Sequence, residues 1–189
     1  MLLDETDLYA LRRQGRFLAA AFKRPHRVLS TCRINGGLRE DLTHIANHQS
    51  CEGVAHAARH RSVVGLGPEA GHAAACAEAE LPPATTALMS TAANMQCAVV
   101  ARAAYEELTV RVVATAGVLG NATRAGDPAG WHERPGGSAR VERSVTDTSP
   151  AEAGSGTIVT LAFINQPCTP ACLVKAATMV TEGKSTAVL

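Results

Sequence analysis

Apolar and polar positions alternate unevenly along this chain, and the runs they form predict a mixture of strands and helices. Arg16 to Phe22 is apolar and ends at Lys-Arg-Pro. His26 to Ile34 resumes with Val28, Leu29 and Thr31, and Pro25 between them suits a turn, so 16–34 reads as two strands around a tight turn. Asn35-Gly36-Gly37 ends the second of them. Residues 38–60 are polar and rich in histidine, and the pattern assigns them no element. Residues 67–81 read as a helix with Pro68 near its start, stopped by Pro82-Pro83.

The second half is more regular. Thr86 to Ala93 is a short apolar run of strand type. Val110 to Val118 is a stronger strand, with β-branched residues at 110, 112, 113, 115 and 118, and it runs into Gly120-Asn121. Residues 132–156 carry Gly, Pro, Ser, Thr and charge, and read as a long variable surface loop. Thr157 to Ile164 is a further strand of buried type. Thr169 as N-cap and Pro170 at the first helical position open a last helix to about Leu189. No internal repeat and no clean βαβ rhythm are present. The expected class is α+β or mixed α/β, a single domain over 1–189 with a mixed sheet and packed helices.

Composition narrows this picture. The 189 residues suffice for one core, and 46% of them are apolar. Aromatics are only 3%, so Ala, Val, Leu and Ile must fill the interior. The 18 basic and 17 acidic residues nearly cancel, which argues against a nucleic-acid binder. No run approaches the roughly 20 apolar residues that span a bilayer. The acidic start, Met-Leu-Leu-Asp-Glu-Thr-Asp, is unlike a secretory signal, so a cytoplasmic protein without a membrane partner is expected. The six cysteines show no C-x-x-C knuckle and read as free thiols.

Five places carry candidate chemistry. Thr115 to Asp127 reads T-A-G-V-L-G-N-A-T-R-A-G-D. A strand ends, glycines turn the chain, and Asn121, Arg124 and Asp127 follow closely. Such a turn can present backbone N–H groups to an oxyanion, or it can be a plain turn with Arg124 and Asp127 paired. His44 and His48 are four apart, as are His56 and His60, a spacing that shares a helix face and suits metal ligands, but no third ligand is evident. Asn47-His48-Gln49 places an imidazole between two amides, and histidine's ordinary pKa near neutrality suits proton transfer. Asn94 ends a strand and reads more readily as a helix N-cap or turn residue than as a ligand. Glu182 and Lys184, two apart on the last helix, do not share a face, so at most one turns inward.

The strings R-V-L-S-T at 27–31, N-G-G-L-R-E at 35–40, N-H-Q at 47–49, S-T-A-A-N-M at 90–95, T-A-G-V-L-G-N-A-T-R-A-G-D-P at 115–128 and T-E-G-K at 181–184 together resemble the adenosylcobinamide amidohydrolase family, over roughly residues 16–189. The 115–128 string is the most specific. The resemblance implies hydrolysis of the amide that joins aminopropanol to the corrin ring of adenosylcobinamide, in corrinoid salvage or remodelling. It implies a corrinoid as the small-molecule partner and no resident cofactor or metal, since cobalt enters with the substrate. A homo-oligomer stays compatible with it.

On that resemblance His48 is the expected proton-transfer residue, activating a water, with Asp127 orienting it or Arg124. Backbone near Gly36-Gly37 or Gly117–Asn121, including Gly120, is expected to hold the oxyanion. Asn35, Asn47, Gln49, Asn94, Thr115, Asn121 and Arg124 are expected to grip the corrin's peripheral amides. A covalent route through Cys51, Ser30 or Thr115 stays open. The resemblance also implies a further Gly/Thr-rich segment after T-E-G-K, whereas this sequence stops at Leu189. That difference motivates one alternative, a corrinoid-binding protein that does not hydrolyse. The paired histidines motivate another, a metal-dependent hydrolase.

Overall fold

The structure, a computed structural model, describes residues 1–50, 66–117, 131–135, 137–140 and 157–188. The chain opens with three antiparallel strands, β1 (Leu2–Glu5), β2 (Tyr9–Gln14) and β3 (Phe17–Phe22). Gln14 pairs with Phe17 across a two-residue turn in which Gly15 has φ +54°, the positive φ that a tight hairpin turn needs at its first position. A small hairpin follows, β4 (Val28–Ser30) against β5 (Gly37–Arg39). Next come β6 (His44–Gln49), α1 (Pro68–Glu78) and β7 (Thr86–Thr91). β6 pairs antiparallel with β3 and parallel with β7. The result is a five-stranded mixed sheet in the order β1-β2-β3-β6-β7.

A second, antiparallel sheet is built from β8 (Val99–Tyr105), β9 (Leu108–Ala116) and β12 (Ile158–Ile164), in the order β12-β9-β8. Between them in sequence lies the short hairpin β10 (Trp131–Arg134) and β11 (Gly137–Arg140). The last element is the 19-residue α2 (Pro170–Val188). Helices on a mixed sheet, with a second sheet beside it, make the class α+β.

The two faces of the large sheet are set by period-two alternation along its strands. In β3, Leu18, Ala20 and Phe22 point one way and Phe17 and Ala19 the other. The first set joins Tyr9 and Leu11 of β2 against Val113 of β9, Val159 and Leu161 of β12, and Met95. That is the main core, and it lies between the sheets. Tyr9 stacks on Phe163 at 4.0 Å, and its hydroxyl donates to Asp4 Oδ2 at 2.5 Å. Burial first, and the Asp4 carboxylate second, push the Tyr9 phenol well above its ordinary range. The second set meets α1: Phe17, Ala46 and Leu88 pack on Ala75 and Cys76. Small side chains let these layers approach, as the scarcity of aromatics requires.

Between the sheets, Asn47 of β6 is 1% exposed and donates through Nδ2 to Thr115 Oγ1 of β9 at 2.8 Å. Thr115 is equally buried. This bond ties the sheets together at the end where β6, β7 and β9 finish.

Several expectations need correction. The segments 16–22 and 26–34 do not pair with one another. β3 sits between β2 and β6, and only Val28–Ser30 of the second segment is strand, paired with β5. β1, β2, β5, β6 and β8 fall where the pattern assigned nothing. Part of the expected 132–156 loop is the β10–β11 hairpin, and residues 141–156 lie outside the described residues. α2 forms as expected, with Thr169 Oγ1 accepting from the Cys172 N–H at 3.2 Å, but none of its residues is buried. Five of the six cysteines are described, and all five are free thiols.

Two substitutions test this packing. A Cβ on Gly36 would lie 1.8 Å from the Cys32 carbonyl oxygen, so Gly36→Ala must displace the β4–β5 turn. It should cost about 1–3 kcal/mol in urea denaturation. Thr115→Val keeps the shape but leaves Asn47 Nδ2 buried without its acceptor. It should also cost about 1–3 kcal/mol, read from the denaturation midpoint.

Candidate functional site

Histidines 44 and 48 belong to strand β6, not to a helix. Four residues along a strand span roughly 13 Å. Both side chains lie on the α1-side face, but they open on different spaces. His44 borders a small cavity of about 500 Å³ beside Glu78 and Leu81, and its Nδ1 hydrogen-bonds with Thr43 Oγ1 at 2.9 Å. Partial burial lowers its pKa. His48 borders a cleft of about 1850 Å³. The pair is therefore not arranged around one metal ion. His56, His60 and Cys51 lie outside the described residues, and among those described no cluster of three or more His, Cys, Asp or Glu could hold a metal.

The cleft runs along the free edge of β7. Its walls are the β4–β5 hairpin, the start of α1, strand β12 and one face of α2. Its volume exceeds the roughly 300–1,000 Å³ of common small-molecule pockets. His48 is 3% exposed, and its ring lies parallel to Phe17 of β3, with centroids 4.5 Å apart and planes 6° apart. That stack fixes the ring plane. The cleft's cationic side chains are Arg24, Arg27, Arg33 and Lys184, and no Asp or Glu lines it among the described residues. Arg24 pairs with Asp7 and Arg27 with Glu40.

α2 lends the cleft a stripe at helical spacing: Leu173, Ala177, Val180, Thr181 and Lys184. Thr181 and Lys184 come from T-E-G-K, whereas Glu182 is not on this face. The sequence expectation that only one of Glu182 and Lys184 turns inward agrees with this. Arg27 Nη1 donates to the Cys168 carbonyl at 2.7 Å, linking the hairpin wall to the start of α2.

Asn47, Gln49, Asn94, Thr115 and Gly117 form a second group. In β6, Asn47 and Gln49 point between the sheets, away from His48. Gln49 Oε1 accepts from the Met95 N–H at 3.1 Å. Asn94 Oδ1 accepts from the Gln96 N–H at 2.8 Å, capping a short 3-10 turn over Met95–Cys97. Gly117 lies so near Ala93 that an added Cβ would touch the Ala93 Cβ at 3.7 Å, and its N–H donates to the Thr157 carbonyl at 3.0 Å. The Ser50 N–H donates to the Thr91 carbonyl at 2.9 Å. So N-H-Q, S-T-A-A-N and T-A-G, far apart in sequence, meet at one edge. Within this group Asn47 Oδ1 accepts no hydrogen bond from a described residue.

Asn35, Gly36 and Gly37 stand apart from both groups. Asn35 has φ +57° and Gly37 φ +78°. Asn35 Nδ2 donates to the carbonyls of Pro83 and Thr86, each at 2.8 Å. This turn pins the hairpin to the start of β7 and does not itself line the cleft. Gly120, Asn121, Arg124 and Asp127 lie outside the described residues.

Of the expected catalytic and binding residues, His48 lines the cleft, and so does Ser30, one of the three residues named for a covalent route. The sequence reading missed Ser90, which borders the cleft on β7, beside His48. Strand alternation from Leu88 places Ser90, two residues on, on that same face.

A family model, described as adenosylcobinamide amidohydrolase, matches residues 2–189, essentially the whole chain. No curated protein and no solved structure matches it. A match of that extent, running through every strand that builds the strand-end group and the cleft, decides the kinship: the chain belongs to the adenosylcobinamide amidohydrolase family.

Proposed function

We propose that the protein hydrolyses the amide between aminopropanol and the corrin ring of adenosylcobinamide, releasing adenosylcobyric acid and aminopropanol for corrinoid salvage or remodelling. The observation that carries the reading is a buried imidazole, held flat on Phe17, at the wall of a cleft much larger than a common metabolite needs. The family match supports the same substrate. No described helix is long and apolar enough to cross a membrane. We place the reaction in the cytoplasm.

An amide resists attack, so its hydrolysis needs an activated nucleophile, a stabilised oxyanion and a proton for the leaving amine. His48 takes the proton of the attacking group and returns it to the amine. The corrin's peripheral amides lie along α2, where the Lys184 ammonium donates to their carbonyls and the Thr181 hydroxyl, itself donating to the Ala177 carbonyl, accepts from their N–H groups. Asn121, Arg124 and Asp127, which lie outside the described residues, keep their expected roles. The reading needs no resident cofactor, because cobalt arrives within the corrinoid.

Incubation of the purified protein with adenosylcobinamide, with and without a chelator, separates this reading from its rivals. Cobyric acid formed in the presence of chelator is the expected result. Binding without product would leave a corrinoid-binding protein. Product lost on chelation would point to a metal-dependent hydrolase.

Two variants test the assigned roles. His48→Ala should lower kcat by about 10²–10⁴-fold while corrinoid affinity, measured by fluorescence quenching, stays within about threefold. Turnover near that of the unaltered protein would remove His48 from the chemistry. Lys184→Ala should raise KM several-fold, on the order of a single lost hydrogen bond, with kcat unchanged.

A further inference from the structure

We infer that Ser90 is the nucleophile and that His48 activates it, so that the hydrolysis passes through an acyl-serine. This rests on the amide-hydrolase reading and names the attacking group that the reading leaves open.

The argument begins with register. β6 and β7 are parallel, and His48 is the Cα partner of Ser90. Neighbouring strands lie about 4.8 Å apart, and paired residues project from the same face. Phe17 is the partner of His48 on the other side, in β3. The imidazole thus sits in a row of three: a flat aromatic wall, the base, and a hydroxyl. Ser90 and His48 both line the cleft.

Exposure makes the same point. Thr86, Ala87, Leu88 and Thr91 of β7 are all buried, whereas Ser90 is exposed to the cleft. Its hydroxyl makes no hydrogen bond to a described residue. Rotation about one side-chain bond turns it toward the neighbouring imidazole, and such contacts tighten when substrate is bound. The other hydroxyls considered are worse placed. Thr115 Oγ1 already accepts from Asn47 and lies between the sheets, on the far side of β6 from His48. Ser30 also lines the cleft, but its Oγ is buried and its strand, β4, pairs with β5, so it has no register with His48.

The step balances as follows. Ser90 Oγ bonds to the amide carbon while His48 takes the hydroxyl proton and the carbonyl electron pair moves to oxygen. The pair returns, the C–N bond breaks, and His48 gives its proton to the departing amine. Water then attacks the ester, with His48 again accepting the proton and passing it to Ser90 Oγ as the C–O bond breaks. The sum is amide plus water giving acid plus amine, with the enzyme unchanged.

A serine-directed fluorophosphonate probe, followed by peptide mass mapping, and turnover of adenosylcobinamide by Ser90→Ala and Ser90→Cys test this. The expected result is labelling at Ser90 that His48→Ala slows at least about 100-fold. Ser90→Ala should lose at least about 10³-fold in turnover. Ser90→Cys should regain part of it and become sensitive to iodoacetamide. Turnover of Ser90→Ala within tenfold of the unaltered protein would overturn the inference while leaving the proposed reaction standing. If the unaltered protein does not cut adenosylcobinamide, the proposed reaction fails, and the probe decides the dyad alone. His48-dependent labelling of Ser90 keeps it. Absence of labelling overturns it, as does inactivity of the cysteine variant without labelling of the unaltered protein.

Discussion

Successive side chains of a strand must point to opposite faces, and in β6 that constraint divides the molecule's polar chemistry in two. Asn47 turns between the sheets and holds Thr115 through its amide N–H. His48, the next residue, turns toward Phe17 and the cleft. Gln49 turns back and takes the Met95 N–H. Three adjacent polar residues in sequence therefore serve one structural cluster and one chemical one. The cluster matters to the cleft indirectly. It fixes the end of β6 against β7 and β9, and so fixes where the imidazole emerges.

The core permits this because it is thin. Ala20, Ala46, Ala75 and Ala87 occupy positions where larger residues would hold the layers further apart. A helix resting on alanines can lie close to the sheet, and Phe17 can then reach over to stack on His48. The same economy leaves edges uncovered. β7 ends the large sheet and β12 ends the small one, and the cleft opens along both. α2 buries none of its residues, so its apolar stripe contributes area to the cleft rather than to the core.

The sequence announced elements whose pattern matches their burial. α1 between Pro68 and the Pro82-Pro83 stop, β7, β9, β12 and the Thr169-capped α2 were all legible. β6 was not. Its buried positions are Ala46, Asn47 and His48, a loop-like composition that becomes a central strand only through its neighbours on both sides. β8 was hidden for the opposite reason, since every residue of Val99–Tyr105 is exposed and no alternation marks a face. The strings N-H-Q, S-T-A-A-N and T-A-G stand out in the sequence, but their meeting comes from the parallel β6–β7 pair and the Asn47–Thr115 bond. That His48 would turn away from its own neighbours follows from β6 being a strand, which composition concealed. Asn35 misled for a similar reason: its amide looks like a ligand in sequence, but left-handed backbone and two carbonyl acceptors employ it in the turn.

The charge of the cleft bears on the direction of the chemistry. Amide hydrolysis starts from a neutral group, passes through an oxyanion, and ends on a carboxylate. Negative charge in a partly desolvated space is costly wherever a fixed carboxylate faces it, and favoured wherever cations and N–H groups do. Among the described residues no Asp or Glu lines this cleft, while Arg24, Arg27, Arg33 and Lys184 do. Asp7 and Glu40, the partners of Arg24 and Arg27, are kept outside the lining, so their arginines are held in place without putting negative charge on the inner wall. Lys184, on α2, serves the corrin's peripheral amides instead. A developing anion beside His48 would be favoured by the hairpin cations. A neutral amide at that place would gain little from them until the bond to carbon begins to form. A field of that kind acts on the transition state more than on the bound substrate, which is the difference a hydrolase requires.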